Sequence, residues 1–469
     1  MKTFAITTFG CKVNQYESQQ VRQLLGQLGL TQVQFDARPD LVVVNTCCVT
    51  HTASAKSRQC LHKAKKLSPQ AVIVACGCLT ATPTDELNGS LQGVHLIKHR
   101  QTLAAALTKI VNASAAMPDS VSLQGCQNTD IKPKNTAKIK HKTKSGRNLL
   151  QLPQLTSFRG QTRAFLKVQD GCDGYCSYCV IPKVRPKVSS KPIEAVIQEA
   201  QVLVKAGHKE IVLVGIYLGA YGHATVRRQK WADRNRLAEL LDAIAKIPGL
   251  ERIRLSSLDA NDVTEEMLDA FRRHRNIMPH LHLSLQSGSD EILRRMRRQY
   301  TVDEFRRAVE SIKSRLDRPA ITADIIVGFP GETDANFCQT IELVKEVGFA
   351  KMHVFRFSAR KGTAAARMQV FVDNGVVKER AEILRNLDKQ LGRKFREQFV
   401  GERAQVLVEQ GDNGGWGGLS ERYFKVHIEN GDGRSCTDMV QGRVRRNDLV
   451  SAQVVENTED GVVGELVSS

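Results

Sequence analysis

Short apolar runs at residues 3–8, 41–45 and 71–75 alternate with amphipathic stretches at about 18–28 and 53–67. Runs that stay apolar on both alternating faces are strands covered on two sides, so the pattern predicts a parallel sheet with crossover helices. From Thr162 the alternation resumes and is longer. Strand-like runs fall near 164–168, 211–215, 253–256, 281–285, 323–327 and 352–356. Helical periodicity marks 193–206, 236–246, 264–274, 301–315, 334–347 and 376–398. Repeated βα units of this kind predict a complete or partial barrel of parallel strands, with its chemistry at their carboxyl ends. Beyond residue 399 the period changes again. Runs 404–408, 423–427 and 449–455 alternate apolar and polar between turns rich in Gly and Asn, as in a small antiparallel β module.

The expected fold is therefore α/β: a parallel N-terminal domain over 1–112, a barrel core over 161–398 and a β module over 399–469. Residues 113–160 read as a basic linker or insertion. The stretch 113–163 carries nine lysines and arginines against two aspartates and shows little periodicity.

Charge sharpens the reading. The formal net charge is +19 and the pI about 9.5, which suits a polyanionic partner, nucleic acid being the commonest. No run of about 20 apolar residues occurs, so no membrane span is expected. Residues 1–10 lack a basic segment followed by a long apolar core, so no secretory signal is expected. Twelve cysteines without such a signal point to a reducing, cytoplasmic setting, where clustered cysteines bind metal more often than they pair.

The cysteines are placed accordingly. Cys172, Cys176 and Cys179 are spaced x3 then x2 on the loop that follows the run Ala164-Phe-Leu-Lys-Val168. Thiolates hold iron–sulfur clusters and zinc alike. A zinc knuckle needs a fourth ligand, and the loop holds none. Three ligands would leave one iron of a cluster open for a substrate. In the N-terminal domain each of the three strand runs is followed by cysteine: Gly10-Cys11, Thr46-Cys47-Cys48 and Cys76-Gly77-Cys78. Ligands of open α/β sheets gather at carboxyl strand ends, so three cysteines distant in sequence could meet at one edge.

The x3–x2 spacing resembles the signature of the radical S-adenosylmethionine (SAM) enzymes. The segments Gly10-Cys11-Lys-Val-Asn-Gln-Tyr-Glu-Ser18, Asn45-Thr-Cys47 and Gly77-Cys78 are similar to the N-terminal domain of the methylthiotransferases. That resemblance implies two [4Fe-4S] clusters. One sits on Cys172, Cys176 and Cys179 and cleaves SAM to a radical; the other sits on Cys11, Cys47 and Cys78. This chain departs from the family's usual Gly-Cys-Tyr-Ala-Gln at the third site, with Gly77-Cys78-Leu-Thr-Ala, and carries Cys48 and Cys76 beside the expected ligands. The C-terminal module resembles the TRAM domain, an RNA-binding β-barrel. Its candidate RNA contacts are Trp416, Tyr423, Phe424, Arg443, Arg445 and Arg446.

In the core, the resemblance gives candidate contacts to SAM at Gly215, Ser257, Gln286 and Asp324, at or near strand ends. His280, His282, Ser284 and Gln286 alternate onto one face of their run. A basic cluster, Arg294–Arg298, follows that run, with Arg272, Arg273 and Arg275 adding to it. The family branch most similar is the threonylcarbamoyladenosine tRNA methylthiotransferases, whose substrate is the modified adenosine 3′ of the anticodon. The implied partners are the tRNA anticodon loop, an electron donor for cluster reduction and a sulfur donor. Two alternatives share much of the pattern: a sister enzyme acting on isopentenyladenosine in tRNA, and a non-enzymatic iron–sulfur or zinc RNA-binding protein.

Overall fold

A computed structural model describes residues 1–82, 92–115, 151–231, 233–410, 416–429 and 444–467. Most of the basic linker lies outside the described residues, as do Cys126, Cys436 and Arg443. The chain forms two compact units. The first comprises Met1–Leu155 with Val180–Pro186 and Arg360–Gly362; the second is Thr156–Cys179, Lys187–Ala359 and Thr363–Ser469.

The first unit is a five-stranded parallel sheet with helices on both faces. Its elements are β1 (Thr3–Thr8), α1 (Lys12–Gln27), β2 (Thr31–Gln32), β3 (Leu41–Thr46), α2 (His51–Leu67), β4 (Val72–Gly77), β5 (Val94–Leu96) and α3 (Leu103–Ala115), with the short α4 (Ile181–Val184) joining from later in the chain. The strand order is β2-β1-β3-β4-β5. All six residues of β3 are buried, which is why its run Leu41-Val-Val-Val shows no alternation: α1 and α3 cover one face and α2 the other. On the first face Val21, Leu24, Leu25 and Leu107 pack against Phe4, Val43, Val74 and Cys76. On the second, Leu61 and Ala64 pack against Val42, Val44, Ile73 and Ala75. The edge strands β2 and β5, too short to register as periodic runs, extend the expected three-stranded sheet.

The second unit carries the expected βα repeats. It runs β6 (Ala164–Lys167), β7 (Gln169–Asp170), β8 (Ser189–Ser190), α5 (Ile193–Lys205), β9 (Glu210–Val214), α6 (Arg236–Ala245), β10 (Arg252–Leu255), α7 (Glu265–Arg273), β11 (His280–Gln286), α8 (Asp290–Met296), α9 (Val302–Arg315), β12 (Ala320–Val327), α10 (Asp334–Val347), β13 (Lys351–Arg356) and α11 (Asn374–Glu397). The ladders β6-β9-β10 and β11-β12-β13 are parallel, and bridges at Ile253–Ile277 and Leu258–Leu283 join them. The result is six parallel strands in sequence order, with no ladder between β6 and β13 among the described residues: a partial (β/α)6 barrel. Helix starts are set locally. Thr301 and Thr333 each cap their helix in a capping box with Glu304 and Asn336.

The remaining strands, β14 (Arg403–Gln410), β15 (Trp416–Ser420), β16 (Lys425–Glu429), β17 (Leu449–Asn457) and β18 (Val462–Leu466), close into a small barrel. It belongs to the same compact unit as the βα core. Arg252 and Arg254 of β10 are wholly buried, paired with the buried Glu210 of β9 at 3.6 and 3.0 Å. Their terminal guanidinium nitrogens also reach backbone carbonyls of the small barrel: Arg252 to Leu419 and Gln405, Arg254 to Ser420 and Glu421. Burial, with Arg254 beside it, holds the Arg252 guanidinium down to about 10, still charged near neutrality. The amino ends of the core strands are thus sealed by the small barrel.

That seal uses aromatic side chains that are among the candidate RNA contacts. Tyr423 stacks on His280 at 4.0 Å with Arg254 over its other neighbourhood at 5.4 Å, and Phe424 is buried in the core of the small barrel. Trp416 packs partly buried against the same core. Arg446 donates to Thr162 and to the Gly160 carbonyl. Tyr423 and Phe424 are therefore engaged in packing, as core use of some of these aromatics would have it, while Trp416 stays partly exposed.

Removing one partner of a buried ion pair leaves the other charge stranded, at a cost of about 3–5 kcal/mol. Glu210→Ala is expected to lower unfolding stability by that order. Denaturant titration of the purified protein checks it; a loss below about 1 kcal/mol would show that the carbonyls of the small barrel satisfy both arginines unaided.

Candidate active site

In the first unit, Cys11, Cys47 and Cys78 follow β1, β3 and β4, which are neighbours in the sheet. Parallel strands end at one edge, so three sequence-distant thiols are delivered there together. Two glycines make room. Gly10 has φ +97°, and a Cβ on it would lie 2.7 Å from the Cys47 Sγ. Gly77 has φ +96°, and a Cβ there would lie 2.4 Å from the Asn45 Oδ1 and the Thr46 carbonyl.

The Asn14, Glu17 and Ser18 side chains of α1, one helical turn apart, brace this edge. Asn14 Nδ2 donates to the Phe9 and Thr46 carbonyls at 2.9 and 3.0 Å. Asn45 Nδ2 donates to the Asn14 carbonyl and to Ser18 Oγ. The buried Glu17 accepts a two-pronged pair from Arg185 at 2.9 and 2.8 Å and pairs with Arg100 at 2.7 Å. These contacts give the run Gly10–Ser18 a physical role that its spacing alone does not display.

The neighbouring thiols separate cleanly. Cys76 lies in β4 and points into the core beneath α1 and α3, on the face opposite Cys48 and Cys78. Burial pushes its thiol up to about 12. Cys48 instead donates a hydrogen bond to the Cys78 sulfur; that bond, helped by Arg185, draws Cys78 down to about 6 against the opposing effect of burial. The same bond raises the Cys48 thiol. Cys48 and Cys78 thus lie side by side on the same face of the sheet, within hydrogen-bonding reach of each other. Cys11 is exposed, whereas burial takes the Cys47 thiol up to about 12. The Cys47 Sγ accepts the Val49 N–H at 3.5 Å.

In the second unit, Cys172, Cys176 and Cys179 sit half-buried on the loop after β6 and β7. Gln169 clamps the base of that loop. Its amide donates to the Gly171 carbonyl at 2.8 Å, and its Oε1 accepts the Tyr217 N–H at 2.8 Å. The far end is pinned to the terminus of α8: Ser177 N–H donates to the Met296 carbonyl and its hydroxyl to the Arg295 carbonyl. Asp173 accepts from the Thr225 hydroxyl and the Val226 N–H, and Tyr175 lies under Arg227 at 4.2 Å. The Cys172 Sγ accepts the Gly174 N–H at 3.3 Å, and burial takes its thiol up to about 12.

The remaining candidates occupy strand ends, with one exception. Gly215 follows β9, where a Cβ would collide with Gln169 at 2.9 Å. Ser257 is exposed just past β10. Gln286 ends β11 at φ +62°, a left-handed conformation uncommon for a side chain of its size. Tyr300 braces it, its hydroxyl donating to the Ser284 and Leu285 carbonyls. Asp324 instead lies inside β12. There it meets His282 of β11 at 3.3 Å and His353 of β13. Thr322 fixes His282 through its Nδ1 at 2.8 Å. The arginines flanking β11 divide as well: Arg298, after it, is enclosed against the cysteine loop, whereas Arg273, before it, pairs with Asp242 at the surface.

Among the described residues, the group whose ligand atoms all lie within 4.8 Å of each other is His282, Asp324 and His353. The backbone N–H groups directed at Cys47 and Cys172 are the kind of second-shell donors that thiolate ligands of clusters receive.

Known proteins agree with both units. The Radical SAM superfamily profile matches residues 166–344, and that of an uncharacterized protein family, UPF0004, matches residues 3–98. Over 431 residues, 91% of this chain and 90% of the relative, the sequence is 36% identical to threonylcarbamoyladenosine tRNA methylthiotransferase MtaB of Bacillus subtilis. The chain belongs to the methylthiotransferase family of radical SAM enzymes. A second family member, MtaB of Thermotoga maritima, is 36% identical over 87% of each chain. The fold is shared with a solved radical SAM methyltransferase, TsrM of Kitasatospora setae, at a TM-score of 0.52 and 15% identity, covering 76% of this chain and 75% of that one. No described helix is long and apolar enough to cross a membrane.

Gly77→Ala is expected to destabilise the first unit by at least the 1–2 kcal/mol that a left-handed backbone costs a residue with a Cβ, because the methyl also meets backbone atoms. Gly26→Ala, in α1 with open space around it, should cost nothing and can add up to about 1 kcal/mol. Thermal melts of the two variants check the contrast.

Proposed function

We propose that this protein is a radical SAM methylthiotransferase that converts N6-threonylcarbamoyladenosine at position 37 of tRNA to its 2-methylthio derivative. The observation that carries the proposal is the pair of three-cysteine sets, each at the carboxyl edge of its own parallel sheet, in a chain that aligns along nearly its whole length with threonylcarbamoyladenosine methylthiotransferases. Radical SAM enzymes bind an iron–sulfur cluster and SAM. Cys172, Cys176 and Cys179 would hold the first cluster, and Cys11, Cys47 and Cys78 a second. When bound, these groups and SAM supply the radical that removes hydrogen from the adenine C2 and the methylthio group that replaces it.

The chain's own residues do the rest. Gln169 and the terminus of α8 hold the first cysteine loop in a fixed shape. Asn14 and Glu17 hold the edge that carries Cys11, Cys47 and Cys78, with the Cys48 thiol beside Cys78. Gly215, Ser257, Gln286 and Asp324 line the carboxyl half of the core strands, where SAM would lie. The charge of +19 supplies phosphate binding, and an anticodon-loop base is open to an enzyme in a way that a stacked helical base is not. A one-electron donor and a source of sulfur complete the set of partners.

Nucleoside mass spectrometry of tRNA from cells with and without the gene tests the substrate. Loss of 2-methylthio-threonylcarbamoyladenosine with accumulation of its precursor is the expected result. Loss of the isopentenyl counterpart would transfer the assignment to the sister substrate, and no change would sink the tRNA reading. Iron content tests the sites. Replacing Cys172, Cys176 and Cys179 by alanine should remove about half of the iron, and replacing Cys11, Cys47 and Cys78 the other half.

A further inference from the structure

Arg298 is buried beside the cysteine loop, and the reaction as described gives it no task. Its Nη1 lies 3.4 Å from the Cys176 Sγ. Its Nη2 donates to Asp259 Oδ1, and its guanidinium sits over the Tyr300 ring at 5.0 Å. Asp259 is itself fixed, accepting from the Tyr217 hydroxyl at 2.7 Å and from Arg228 at 3.1 Å, while Arg228 pairs with Asp262 at 2.8 Å. Arg298 is therefore a cation that cannot swing away: a carboxylate anchors one prong of its fork, and the other is left to the sulfur. The chain places it by the same device that places the loop. Residues 295 and 296 at the end of α8 hold Ser177, and the left-handed Arg297 turns the backbone so that residue 298 faces inward.

Hydrogen bonds to ligand sulfur and nearby positive charge favour the more negative, reduced form of an iron–sulfur cluster, and both act strongly where water is excluded. We propose that Arg298 sets the reduction potential of the cluster on Cys172, Cys176 and Cys179 through its hydrogen bond to the Cys176 sulfur, with Asp259 as the residue that positions it. Reduction adds one electron, delivered by a low-potential one-electron donor, and no atom changes place. The cluster must become reducing enough to cleave SAM, yet the donor must be able to reduce it. Arg298 shifts that balance towards loading the electron. The inference rests on the cluster assignment proposed above.

The test is a dithionite titration of the reconstituted cluster followed by electron paramagnetic resonance. It uses protein in which Cys11, Cys47 and Cys78 are alanine, so that one cluster contributes. Arg298→Gln should make reduction about tenfold less favourable, a downward shift of about 59 mV for a one-electron couple. Arg298→Lys, which keeps the charge without the fork, should recover part of it. An unchanged potential at full cluster loading overturns the proposal. Failure of the otherwise unaltered loop to take up any cluster overturns the assignment beneath it instead. If both Arg298 variants lose the cluster, the parent protein labelled with 15N at arginine decides: the reduced cluster should show a weak 15N hyperfine coupling, and its absence overturns the proposal.

Discussion

A parallel strand has a direction, and a right-handed crossover returns the chain to begin the next strand at the same end. Every loop that follows a strand therefore emerges at one edge. Both units of this protein depend on that constraint. In the first it collects Cys11, Cys47 and Cys78, which are 36 and 31 residues apart in sequence, at the ends of three adjacent strands. In the second it gathers the cysteine loop, Gly215, Ser257 and Gln286 at the ends of β6, β9, β10 and β11. Antiparallel pairing would have scattered the same residues to opposite edges. What is added locally is support: Gln169 and the terminus of α8 around one set, Asn14 and Glu17 around the other.

Buried charge plays opposite parts at the two ends of the core. At the amino ends, Glu210 with Arg252 and Arg254 forms a closed structure whose terminal guanidinium nitrogens also reach backbone carbonyls of the small barrel. Such a group fixes how two layers meet. At the carboxyl ends, Arg228, Asp259, Asp262 and Arg298 form a chain of alternating sign, in which Arg298 keeps one donor for a cysteine sulfur. Burying four charges is costly unless they are mutually satisfied. Placing them beside the loop of Cys172, Cys176 and Cys179 turns that cost into a fixed local field.

The parts of this design that were legible in the sequence are those governed by local rules. Two-sided burial makes β3 a run of valines, and cysteine spacing needs no tertiary knowledge. The six core strands and most helices lie within a few residues of their expected positions. Short edge strands β2 and β5 and the seven-residue α8 were not legible, because two to seven residues carry too little periodicity. The roles of Cys48, Cys76 and Arg298 were illegible for a different reason. They depend on which side of a strand or turn a side chain leaves. Cys76 and Cys78 differ by two residues, yet the turn at Gly77 sends one thiol into the α1 face and the other to the cysteine set. Similarly, Arg294–Arg298 reads as one basic run, whereas only the left-handed Arg297 brings residue 298 inward.

The position of the small barrel constrains how RNA can be held. Sealing the amino ends of the core strands takes Tyr423 and Phe424 out of any role as stacking platforms. Stacking on aromatics is the sequence-tolerant way to grip single strands, worth about 1–3 kcal/mol per base. With those two rings committed to packing, the small barrel loses two stacking platforms, and the chain's excess of lysine and arginine supplies an electrostatic hold on tRNA. Electrostatic binding of that kind neutralises phosphates and releases counterions, so it weakens steeply with salt and carries little sequence information. On the proposed function, selection of one nucleoside among many is made where the base enters the carboxyl end of the core. That division of labour leaves the bulk of the surface free to hold any tRNA and concentrates discrimination in the few residues around the cysteine loop.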